Sequence, residues 1–111
     1  MANKNITESL EEAKQYLNSV EELGEAGINI ADRVIDSCKC FIHQPQLKEY
    51  EDFSSKIDTE FDIKLKEAKD ENDKETDSYL KYFNMAQFII NLRIGRTQRM
   101  INFLDRLNQK L

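Results

Sequence analysis

The stretch EELGEAGINI, residues 21–30, puts two of the chain's three glycines three residues apart. It is either a turn between two helices or the waist of one long helix, and that choice sets the architecture. Upstream, apolar residues fall at Ile6, Leu10, Ala13, Leu17 and Val20. Their spacing alternates three and four, as the buried stripe of a helix requires. Carried forward, the same phase meets Gly24, Gly27, Ala31, Val34, Ile35, Cys38, Phe41 and Ile42. A loop of arbitrary length usually breaks such a register. The spacing therefore favours one long helix over residues 4–43, with both glycines on its inward face. Small residues there let a neighbouring helix or ring come close, at a cost of about 1 kcal/mol per glycine against alanine. The alternative is a kink or break at Gly24–Gly27, centred on a short turn at Leu23–Gly27, which gives four helices instead of three.

The elements on either side follow from capping and proline chemistry. Asn5 followed three residues later by Glu8 resembles a capping arrangement and marks a helix start. Pro45 closes the first element, because the residue before proline avoids helical dihedrals while proline suits a first helical turn. The next stripe is Leu47, Tyr50, Phe53, Ile57, Phe61, Leu65 and Ala68. It gives way at KDENDKETDS, residues 69–78, which holds no apolar side chain. Asn72 and Asp73 can turn there, and Asp73 or Thr76 can start the last helix. That helix is expected from about Glu75 to Asn108, with Tyr79, Phe83, Ala86, Ile90, Ile94, Thr97, Met100, Ile101, Leu104, Leu107 and Leu111 inward.

Composition supports this reading. The 111 residues contain 33% charged and 40% hydrophobic side chains, with only three Gly, one Pro and no Trp. Few turns can be made, which argues against a β-rich fold. The expectation is a single all-α domain over 1–111, an antiparallel bundle of three long helices. No segment reaches transmembrane length. The opening MANKNITESLEE lacks the apolar core of a signal peptide. Cys38 and Cys40 point about 200° apart on a helix, so they cannot bridge without distortion. A reduced, cytoplasmic protein is the expectation.

Residue types that carry chemistry are sparse. Cys38, Cys40 and His43 invite a metal reading, but zinc needs four ligands and Cys38 lies on the inward stripe. Cys40 and His43 share a face, yet no glycine-rich loop stands beside them to supply an oxyanion hole. The acidic run DENDKETD lacks the glycine and terminal glutamate of a calcium loop. No phosphate-binding or Glu-x-x-His motif appears. Neither an enzyme nor a cofactor or metal site is expected.

Charge is unevenly placed. The chain carries −5 overall: residues 1–84 hold 11 Lys and Arg against 20 Asp and Glu, a net of −9, and residues 85–111 hold five against one, a net of +4. The acidic balance disfavours nucleic acid and anionic membranes. With Tyr79 set at zero and about 100° per residue, the inward arc of the last helix runs from roughly 280° through zero to 60°. Met85, Leu92 and Phe103 fall near 220–240°, Phe88 near 180°, and Arg96, Arg99, Arg106 and Lys110 at roughly 180–260° on the same flank. Aromatics, Met and Arg concentrate energy at protein interfaces. This flank either receives a partner or is covered by another helix of the same chain. Arg93 falls inside the inward arc, where an unpaired guanidinium is prohibitive. It must snorkel, pair with an acid such as Asp32 or Asp36, or meet a partner's acid.

The expected function is a non-enzymatic helical module that binds another protein through a helix face, with Met85, Phe88, Leu92, Arg93, Arg96, Arg99, Phe103 and Arg106 as contacts. Small adaptors, secretion-chaperone-like proteins and inhibitor or immunity proteins share that shape. A structural homodimer or a subunit of a larger assembly is the alternative. A regulator that binds or mimics nucleic acid ranks below both.

Overall fold

The structure, a computed structural model, describes residues 2–111. Helix α1 (Lys4–Asn18) is capped by Asn3, whose side chain accepts from the backbone N–H of Asn5 at 2.9 Å and of Ile6 at 3.4 Å. The cap thus lies two residues before Asn5, which is itself helical. At Ser19 the first rod ends. A single helical turn, α2 (Val20–Leu23), leads to Gly24, and α3 (Glu25–Ser37) begins immediately after it.

The long helix expected over 4–43 is therefore not formed, and the break is the alternative that the structure adopts. Gly24 has φ 60° and ψ −140°, a backbone conformation closed to residues with a Cβ. The chain reverses there, and α3 runs back antiparallel to α1. Ser9 reaches Cys38, while a Cβ on Gly27 would sit 2.8 Å from the Tyr16 carbonyl oxygen. One glycine makes the turn and the other permits the close approach. The apolar phase survives because the connecting segment is itself a helical turn. A one-dimensional period records residues per turn and is blind to a reversal of the axis.

A short 3₁₀ turn (Cys38–Phe41) and a corner with a cis Gln44–Pro45 bond lead into α4 (Gln46–Asn72). The second corner, residues 73–77, ends at Asp77, whose side chain caps α5 (Ser78–Gln109) by accepting from the N–H of Tyr79 and Leu80. Among the described residues there is no strand, and no helix is long and apolar enough to cross a membrane.

Helix α5 is the spine. Its 32 residues make a rod of about 48 Å, close to the 54 Å long axis of the molecule. Helix α4 lies antiparallel along one side: Phe53 stacks on Phe103, Arg96 reaches Asp58, and the Asn72 amide donates to the Lys81 carbonyl. The α1–α3 hairpin packs on another side. Asp32 meets Thr97, and Asn108 meets both Thr7 and Asn3. With 15 and 13 residues, α1 and α3 are only about 20 Å long, so the hairpin covers the C-terminal half of α5 and stops.

The result is a four-helix body from which the far ends of α4 and α5 project as a two-helix arm. The radius of gyration is 16.1 Å, against about 13 Å for a compact domain of this length. The buried core belongs to the body: Ile6, Leu10, Ala13, Ile28, Ala31, Ile35, Tyr50, Ile57, Met100, Ile101 and Leu104 are all enclosed. Its two buried polar side chains, Thr97 and Asn108, are hydrogen-bonded to Asp32 and Thr7 at 2.7 and 2.9 Å, which removes the penalty of burying them.

Candidate functional site

The basic flank of α5 faces α4. Arg93 keeps a quarter of its side chain in solvent, donates to the Asn29 side chain at 2.6 Å and lies 3.5 Å from the Asp32 carboxylate. Of the two acids suggested by sequence, Asp32 is the partner. Arg96 pairs with Asp58 at 2.7 Å, and Arg99 pairs with Glu60, whose carboxyl that hydrogen bond holds below its usual range. Phe103 lies flat against Phe53, with ring centroids 4.1 Å apart. Met85, Phe88 and Leu92 are half-buried beside α4, and Arg106 is exposed. The positive charge at the end of the chain thus chiefly answers acids of α3 and α4, and its rings and aliphatic groups chiefly close the seam with α4. These expected contact residues do not form one open surface.

The open surface lies on the other side of the same helix. Tyr79 and Phe83 were expected in the core, but 75% and 48% of their surface is exposed; Tyr82 is exposed by 79% and Leu80 by 44%. Thr97 and Asn108 project toward α3 and α1, and they lie about 0° and 20° from Tyr79 around the axis. Tyr79, Phe83, Ala86 and Ile90 therefore continue the stripe that α1 and α3 cover further along. They are exposed or half-buried because the covering hairpin ends before reaching them. Tyr79 and Phe83 stack on each other with centroids 6.4 Å apart and planes 10° from parallel, so the two rings form one ledge.

Charge is nearly absent here. Between Ser78 and Leu92 the sole ionisable charge is Lys81, and its ammonium lies 3.3 Å from Asp73 at the tip corner. In a chain that is one-third charged, 15 successive residues with one cation mark a surface that water does not favour. Composition by windows would have pointed to this stretch. Its exposure, however, depends on where α1 and α3 end, and that depends on Gly24.

The residues weighed for chemistry lie in the body. Cys38 is enclosed, and burial pushes its thiol up to about 11, opposed by a hydrogen bond with Ser9. Cys40 and His43 are exposed beside the 3₁₀ turn and the proline corner. Among the described residues, no three His, Cys, Asp or Glu side chains are grouped so as to hold a metal ion. Burial likewise raises Tyr50 to about 12. No known protein family, curated protein or solved structure matches this chain.

Proposed function

We propose that this protein is a non-enzymatic helical binding module whose working surface is the uncovered face of the α4–α5 arm. The observation that carries this reading is the continuation of the α5 stripe past the end of its cover. Tyr79 and Tyr82 keep three-quarters or more of their area in water and Phe83 keeps 48%, and rings of this kind supply most of the energy at protein interfaces. The four-helix body holds the arm at its base, so binding needs little ordering of the surface beforehand. An adaptor, a chaperone-like protein or an inhibitor would each use such a face by laying a helix along it. Nucleic acid is a poorer partner, because Arg93, Arg96 and Arg99 are already paired with acids.

A photo-crosslinking side chain placed at Tyr82 in cells tests the reading. A discrete protein adduct is expected there and none from Glu11, an exposed position on α1. Absence of an adduct at Tyr82, or equal adducts at both positions, would overturn it.

A further inference from the structure

Resting on that reading of the arm, we infer that the occupant of its open face is the same face of a second copy, so that two arms complete one four-helix bundle. Three observations favour a copy over a foreign helix.

The first is architectural. In the body, the antiparallel pair α1–α3 covers the side of α5 that α4 leaves open. At the arm that second hairpin is missing. A twofold axis across the stretch between Tyr79 and Ala86 supplies it from the partner's own α4 and α5, with antiparallel neighbours throughout.

The second is charge. Selection of a foreign partner usually relies on complementary or repelling charges around the apolar centre. Here Lys81 is the sole charge between Ser78 and Leu92, and Asp73 already neutralises it. A face of this kind discriminates poorly between foreign helices. The α5 strip meets itself without setting like charges against each other, and the α4 segment beside it is balanced, with three Lys and three acids between Lys64 and Glu71.

The third is area. A buried aromatic side chain hides roughly 150–250 Å². At the exposures of Tyr79, Tyr82, Phe83 and Leu80, each copy offers on the order of 400–500 Å² of apolar surface. Two copies together bury roughly 800–1,000 Å² from these four residues, at the lower edge of specific protein interfaces. The half-buried Ala86, Ile89 and Ile90 extend the patch toward the body.

Sedimentation equilibrium of the intact chain from about 1 to 300 µM tests the inference. The expected result is a reversible rise from one to two chain masses. The rise should be the same at about 0.05 and 0.5 M salt, because screening has little to act on. Phe83→Glu and, separately, Tyr82→Glu should each weaken association at least about 100-fold, the loss expected for an interface anchor, with unchanged helical circular dichroism. Tyr82 is the most exposed ring, so its variant remains informative if Phe83→Glu misfolds. A monomer throughout the range overturns the inference, as does a dimer that survives both substitutions or dissolves in salt. In those cases a Tyr82 adduct to a different protein still supports the broader reading, whereas no adduct at all removes both.

Discussion

Ser78–Leu92 and Arg93–Gln109 are two halves of one helix that carry the same apolar stripe, and they meet opposite fates. In the second half Thr97, Met100, Ile101, Leu104 and Leu107 are enclosed by three other helices. In the first half Tyr79 and Phe83, in phase with them, stand in solvent. Nothing in the apolar spacing separates the two. The difference is imposed from a distance, by the length of the α1–α3 hairpin. Amphipathicity says which face of a helix seeks cover, and the lengths of its neighbours decide whether it is found. Charge tracks the outcome: the enclosed half keeps Arg93, Arg96 and Arg99 paired at the margins of its contacts, while the open half is nearly neutral.

The most severe way to break this comparison is to truncate one side chain from each half. Leu104 is fully enclosed, and Leu104→Ala should cost about 2–5 kcal/mol, from lost burial and the cavity left behind. Tyr79→Ala, at a ring 75% exposed and measured by urea unfolding at a concentration where the chain is monomeric, should cost less than about 1 kcal/mol. Equal costs would mean that the arm is as enclosed as the body.

A second test addresses the body alone. Cys38 and Tyr50 are buried in their neutral forms and are raised to about 11 and about 12 from ordinary values of 9.0 and 10.0. The stability they confer is therefore complete below pH 9 and is lost as pH climbs through 11 and 12. Each contributes roughly 2–3 kcal/mol at full effect. Urea midpoints measured from pH 8 to 11 should fall, and the fall should be shallower in Cys38→Ala, compared with its own value at pH 8. A fall of the same steepness in that variant would assign the alkaline transition to other groups.

Much of the fold can be read from the residues. The stripe Ile6, Leu10, Ala13 and Leu17 is buried as its spacing requires; of the next stripe Tyr50 and Ile57 are buried and Leu47, Phe53, Phe61, Leu65 and Ala68 are half-buried; Pro45 turns the chain, and the apolar gap over 69–78 holds the second corner. The need of Arg93 for an acid was also legible, since an inward guanidinium admits few solutions. The site was less so. Read as one rod over residues 4–43, the first element would span about 60 Å and cover all of α5, which puts Tyr79 and Phe83 in the core. Read as a hairpin it covers only one end. The apolar flank bearing Met85, Leu92 and Phe103 looked surplus only because α4 had not been placed against it. The misplacement of Tyr79 and Phe83 traces to Gly24, where helical phase continues while direction does not.

The smallest expected effects sharpen the same point, because they separate the glycines of the decisive turn from one that is not constrained. Gly27 is buried, and an added Cβ would meet the Tyr16 carbonyl oxygen at 2.8 Å. That atom belongs to the α1 backbone and cannot swing aside, so Gly27→Ala must push α1 and α3 apart, at about 1–3 kcal/mol. Gly95 is also helical, but nothing lies within 4 Å of where its Cβ would be. There the added methyl only restricts the unfolded chain and improves helix propensity, so Gly95→Ala should stabilise by about 0.5–1 kcal/mol. Urea unfolding of the two variants should therefore give changes of opposite sign. If both stabilise, the two rods are not in close contact at Gly27. The hairpin would then be looser than described, and its short reach along α5, on which the open arm depends, would lose its support.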